Sequence, residues 1–371
     1  MSVVLAVNIG YSPRHASMPP GSRPVRRGLR RIVVLLCILA LVVAGGVYGA
    51  LRFARQPHQR SLNGQDVSIF RAASLGVREP AGLTTSGHHL WITSSAGISV
   101  TELSWRRGEQ RIVGKRSASK LLAPGAITSG NGRLWVTNLS ANAITELRSG
   151  DGAVVRTIGN VGAPHSLVLF GDRLWAADPG ANAVYLINAR TGKKVRAFQH
   201  NGLAHPSALA VSHGLLWVAN EAKNTITVMH AATGAWRATL RGNSFALSKP
   251  VAEVAGRRML WVASAATHSI TQINTVTRKP VRIIAGPRYR LGTPGAMALA
   301  GGRLWVLNPR GNSVTEIDVA TGRLNAVLAG ASYGFDHPAA IAAFQRAIWV
   351  VSAHSVTRIA LPANRRDQGR R

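Results

Sequence analysis

Cysteine is almost missing: the 371 residues hold one, Cys37. A single thiol excludes an intrachain disulfide framework and a cysteine-ligated zinc centre. A folded domain of this chain must therefore be stabilised by its apolar core, which a body of roughly 290 residues is large enough to bury. Acidic residues are also scarce, 14 Asp and Glu against 45 Lys and Arg, for a formal charge of +31. Aromatic residues make up only 6%, yet nine of them are Trp. Past residue 55 no window carries long helical periodicity. Nor is there a phosphate-binding glycine loop, a nucleophile elbow or a zincin helix, which removes the enzyme classes built on those motifs. What the chain has in quantity is glycine, 38 residues, spread among short apolar runs. That composition fits many short strands joined by tight turns.

The charge is unevenly distributed. Residues 1–65 contain nine Arg and no acid, and the last residues add Arg365, Arg366, Arg370 and Arg371 against Asp367. The body between them is still strongly basic, which favours anionic partners such as headgroups, wall polymers or acidic proteins. Its bases are scattered rather than clustered, so they do not predict a nucleic-acid groove, and they serve solubility equally well.

One uncharged run stands out, residues 32–51, IVVLLCILALVVAGGVYGAL. Twenty such residues span a hydrocarbon core as a helix. Arg23, Arg26, Arg27, Arg30 and Arg31 precede the run, and Arg52, Arg55 and Arg60 follow it. The positive-inside bias expects a single-pass anchor in the cytoplasmic membrane, with the N-terminus inside and the remainder outside. A cleaved signal peptide giving a secreted form is the alternative, although no good small-x-small site is present. The expected order is a basic cytoplasmic tail over 1–31, a transmembrane helix over 32–51 and a polar linker over 52–66. A folded domain over 67–361 and a basic tail over 362–371 complete it. Met18 is a second candidate start.

The repeat decides the fold. Leu or Ile followed by Trp recurs at Trp91, Trp135, Trp175, Trp217, Trp261, Trp305 and Trp349. A proline lies eleven residues before each: Pro80, Pro124, Pro164, Pro206, Pro250, Pro294 and Pro338. The unit beginning at Pro294 reads as PGAMALA, a Gly-Gly turn, RLWVLN, a loop, VTEIDV, an ATGR turn and RLNAVLA. Proline can open a strand where no ladder donor is needed, and Gly-Gly suits a hairpin turn. RLWVLN is apolar on consecutive positions, hence buried on both faces. Four short antiparallel strands per unit of about 43 residues make a propeller blade. The prediction is an all-β, seven-bladed propeller of four-stranded blades preceded by one transmembrane helix. The Trp91 unit reads as having a long third strand running into SWRRGEQRIV. The last unit has three clear strands, and its fourth is expected from residues 67–73, closing the ring.

The LWV core, the strand from Val314 to Asp318 with Asn308 before it, and the Thr321-Gly322 turn resemble the YVTN and NHL propeller superfamily over about 290 residues. That resemblance implies the fold and leaves function open, since such propellers serve as sensors, scaffolds, surface-layer proteins and some enzymes. The repeat also resembles that of streptogramin lyases. Their pattern implies a metal held by His and Glu on the central face, with a His after the blade-opening Pro and an acid past the Trp strand. Pro164-His165 and Asp178 match that pattern in one blade. Gly125 and Ser207 stand where a second His is wanted, and Asp replaces Glu at 178.

Loops before each Pro and after each Trp strand should meet at one mouth. This predicts a polar pocket from Glu79, His165, Asp178, His205, Lys249, Asp336 and His337. No cofactor is expected, though His165 and Asp178 suit a divalent transition ion. Asn138, Asn220 and Asn308 repeat at one blade position and read as structural, as do the seven Trp. Three functions stay open: a non-enzymatic binding or sensing module, a metal-dependent lyase or hydrolase, and a basic surface holding anionic polymer or membrane. Partner identity and oligomeric state stay open with them.

Overall fold

The computed structural model describes residues 58–62, 65–106, 109–113, 121–200 and 202–361. These form seven antiparallel sheets in a ring, a seven-bladed β-propeller. Blades 1 to 6 cover residues 80–113, 124–158, 166–198, 206–240, 250–284 and 297–329, each with its four strands adjacent in chain order. The only helices among the described residues are three-residue 3-10 turns. None of the described helices is long and apolar enough to cross a membrane. The expected helix at 32–51, the tail at 1–31 and the tail at 362–371 lie outside the described residues.

Blade 7 closes the ring as expected. Its strands Ala340–Phe344, Ala347–Val351 and Ser355–Ala360 are joined by the N-terminal strand Gln65–Arg71, which pairs with Ser355–Ala360. Two readings of the sequence are corrected here. The polar linker at 52–66 contributes a fifth strand, His58–Leu62, on the outer edge of Gln65–Arg71. The long third strand of blade 1 is two strands, Ser99–Arg106 and Glu109–Val113, folded back on each other. Arg107 and Gly108 separate them in sequence.

The tryptophans explain why the repeat works. All seven are between 0 and 2% exposed. Each second strand carries its Trp on one face and the two flanking residues on the other, because side chains alternate along a strand. Trp175 packs against Leu216 and Val218 of the next blade, and Trp217 against Leu260 and Val262. The same contact continues round the ring through Trp261, Trp305, Trp349 with Leu90 and Ile92, Trp91 and Trp135. One consecutive apolar run thus supplies one surface to each of two interblade joints.

Between blades, four connections form a 3-10 turn with a buried apolar residue: Leu75, Phe245, Tyr289 and Tyr333. Third-strand threonines bind three of these turns. Thr271, Thr315 and Thr357 donate to the carbonyls of Phe245, Tyr289 and Tyr333 at 2.7 to 2.8 Å. In blade 6, Asn308 Nδ2 donates to Thr315 Oγ1 at 2.9 Å. Asn220 and Asn138 make the corresponding bonds to Thr227 and Thr145 at 2.9 and 2.5 Å. These asparagines are fully buried, and their role is structural, as their repetition implied.

Candidate functional site

The strand register puts the blade-opening Pro beside the end of the second strand, as in Pro206 against Asn220 and Pro250 against Ser264. The pre-proline loops and the loops after the Trp strands therefore share one face. Five pre-proline residues there have positive φ: Glu79, Ala123, His205, Lys249 and His337, between 47° and 51°. Non-glycine residues rarely adopt this region. Three of them are held in it from the preceding blade. The main-chain N–H groups of His205, Lys249 and His337 donate to Oδ1 of Asn182, Asn224 and Asn312 at 2.6 to 2.8 Å. Each of these asparagines is itself left-handed and lies seven residues after its Trp. The mouth is a belt of loops cross-tied from blade to blade.

The predicted site residues all lie on this face, but their side chains engage locally. His205 Nδ1 stands 3.0 Å from Glu221 Oε2. Ser95 Oγ donates to Glu79 Oε2 at 3.3 Å. Asp336 is shared between His337 Nδ1 at 2.8 Å and His354 Nδ1 at 2.5 Å. Hydrogen bonds from these two imidazoles hold the Asp336 carboxyl below its ordinary range. Lys249 is exposed. Glu221 and His354 escaped the sequence reading, because each lies in a loop beyond its Trp strand, outside the Pro-centred register.

His165 and Asp178 are adjacent through the backbone: the His165 N–H donates to Ala177 O at 2.8 Å. Their side chains differ in exposure. His165 is exposed, whereas Asp178 is 3% exposed. Asp178 takes the blade position of Asn138, Asn220 and Asn308. Its Oδ1 accepts from the Ala181 N–H at 3.2 Å, and its other oxygen lies against Gly162. Burial, and next the charge of Asp178, raise the pKa of Tyr185. Among the described residues no three His, Cys, Asp or Glu side chains gather to hold a metal ion.

Gly162 gives a direct test of this packing. It has φ +65°, and a Cβ there would overlap the Asp178 carboxylate. Gly162→Ala is expected to cost at least the roughly 1–2 kcal/mol of a left-handed L-residue, plus the displacement of Asp178. A lowered denaturant midpoint would measure it, and an unchanged midpoint would show that the carboxylate is free to move.

The described chain is therefore a seven-bladed propeller with a cross-tied loop face, the fold of the YVTN, NHL and streptogramin-lyase propellers that its repeat resembles. Among solved structures it is similar to the virginiamycin B lyase of Staphylococcus aureus. The selenomethionine form matches with TM-score 0.67 at 18% identity, over 80% of this chain and 100% of that one. A catalytically inactive variant with quinupristin matches with TM-score 0.68 at 19% identity, over the same shares of the two chains. A streptogramin B lyase structure matches with TM-score 0.67 at 17% identity, over 80% of this chain and 98% of that one. At such identities the likeness is one of fold. No protein-family model matches the sequence, and no curated protein does.

Proposed function

We propose that this chain is a membrane-anchored, extracytoplasmic propeller whose loop face binds a partner without chemical turnover. The observation that carries this reading is the local engagement of the mouth's titratable side chains. His205 is committed to Glu221, and Asp336 to His337 and His354, in separate blades. Such a face offers fixed hydrogen-bonding groups on cross-tied loops, which suits recognition. The uncharged run at 32–51 supports the anchor, and the charge of +31 supports an acidic partner.

A second reading, a metal-dependent lyase, has the fold likeness and the Pro164-His165 and Asp178 pattern in its favour. One assay separates the two. The full-length protein is incubated with quinupristin, with and without added divalent ions. The binding reading expects no conversion of quinupristin above background. Metal-dependent conversion that disappears in His165→Ala would overturn it and establish the lyase. Under the binding reading, a partner crosslinked to the full-length protein is lost in a His205→Ala/His337→Ala double variant. Retention of the partner by that folded variant would remove the mouth as its site.

A further inference from the structure

On the end of the ring opposite the mouth, the joint between blades 3 and 4 can be compared with the joint between blades 2 and 3. Between blades 3 and 4 the cleft is closed. Trp175 Nε1 donates to Ala231 O at 2.9 Å, and Arg173 Nε donates to Ala232 O at 3.2 Å. Between blades 2 and 3 the equivalent residues are Trp135 and Arg133, facing Ala189 and Arg190. Here the cleft is open, as a cavity of about 200 Å³.

The two joints differ at the residue opposite the Trp. Opposite Trp175 in the third strand stands Leu186. Opposite Trp135 stands Glu146, which is 1% exposed. Glu146 draws Arg133 Nε to 3.0 Å and Arg156 Nε to 2.8 Å. Arg156 Nη2 in turn donates to Arg190 O at 3.1 Å, occupying the counterpart of the carbonyl that Arg173 takes next door. Arg133 is thus pulled inward and the joint is left open. Arg190 lines the rim, paired with Asp172 at 2.5 Å.

The hydrogen-bonding balance of this cavity is one-sided. Glu146 Oε1 accepts from Arg133 Nε, Glu146 Oε2 has the Arg156 guanidinium beside it as an ion-pair contact only, and Asp172 faces Arg190. Three guanidinia carry five N–H groups each, far more than these contacts use. The buried Trp135 Nε1 has no acceptor. Trp91, Trp217 and Trp305 share that lack, so the indole alone does not mark a site; the three arginines around an open volume do. The formal charge of the five ionic groups is positive. What such a wall accepts is a small acceptor-only group with negative charge, and planar guanidinia match oxyanions bidentately.

We infer that the cleft between blades 2 and 3 is a binding site for a small oxyanion-bearing ligand, a carboxylate or a phosphate, held by Arg133, Arg156 and Arg190. It lies on the face away from the mouth and is independent of what the mouth binds.

Calorimetric titration of the full-length protein at fixed ionic strength tests this, with inorganic phosphate in one arm and succinate in another. Saturable binding of at least one is expected, and the stronger arm identifies the oxyanion. Arg190→Ala is expected to weaken it about tenfold or more, the scale of a charge-assisted contact. Arg190 is mostly exposed, so this variant tests the site without loading the core. Glu146→Leu, which installs the blade 3 arrangement, is expected to close the cleft and abolish binding. Lys249→Ala, at the mouth, should leave it unchanged. Absence of saturation with both anions, or Arg190→Ala binding within about twofold of the parent, overturns the inference. Should Glu146→Leu fail to fold, the Arg190→Ala result decides.

Discussion

A chain that ends at Phe344 is expected to lose its cooperative unfolding transition and to be digested rapidly by protease. The deletion removes strands Ala347–Val351 and Ser355–Ala360. Two interblade joints go with them. Trp305 loses Ile348 and Val350, and Leu90 and Ile92 lose Trp349. Truncating one buried Trp to Ala typically costs about 3–5 kcal/mol, so two such joints are comparable to the whole net stability of roughly 5–15 kcal/mol of a domain. Strand Gln65–Arg71 is also left without its partner on the ring side, and an unpaired edge invites association with other chains. The milder Trp349→Ala should remain folded with a lowered melting temperature. A shortened chain that kept protease resistance and a sharp transition would mean that six blades close without the seventh.

The second large effect concerns Glu253. It lies in strand Pro250–Gly256, three residues after the blade-opening proline. The other six blades have Leu83, Ile127, Leu167, Leu209, Met297 and Ile341 at that step. Glu253 pairs with Val262, on the sheet face that packs toward blade 4. Solvent reaches part of the residue, but both carboxyl oxygens are buried and accept no hydrogen bond. The strands packed against it, Pro206–Ser212, Leu215–Asn220, Met259–Ser264 and Met297–Ala300, carry no titratable side chain. Burial alone therefore pushes its carboxyl well above the ordinary value of 4.5.

The linkage has a definite sign. Below pH 4.5 the group is protonated in both folded and unfolded chains, and folding suffers no penalty from ionisation. As pH rises, the unfolded carboxyl ionises first, so stability is lost from about pH 4.5 upward until the folded group ionises too. Glu253→Leu should remove that decline, and should raise stability near neutrality by at least the roughly 1–3 kcal/mol of a buried polar group without a partner. Denaturant melts of parent and variant across pH 4 to about 8 measure both effects. Parallel pH profiles for the two proteins would show that Glu253 is solvated or paired in solution.

The fold was legible because its signal is covalent spacing. Pro and Trp eleven residues apart are the start of one strand and the middle of the next, and the hairpin between them hardly changes length. The buried acids were not legible in the same way. Glu102, Glu146 and Glu316 sit eleven residues after their Trp and face it across the strands. Their partners, His89, Arg133 and Arg303, lie two residues before the Trp. Each looks like an exposed polar residue of an alternating strand until the pair is seen together. HQRSL of strand His58–Leu62 has no apolar alternation and so carries no strand signal; backbone pairing to a formed edge makes it a strand. At the mouth, the register located the predicted residues, but loop residues such as Glu221 and His354 follow no register. The asparagines seven residues after Trp did carry a signal, in Asn142, Asn182, Asn224 and Asn312.

The closing blade has a further consequence. Strand Gln65–Arg71 completes a sheet whose other strands come from the far end of the sequence, and the Trp joints run round the ring without interruption. No blade is first or last in space; only the covalent break in blade 7 sets the order of reading. The same set of interblade contacts is compatible with other cyclic orders of the blades, so a circularly permuted propeller opened at another interblade loop is expected to fold.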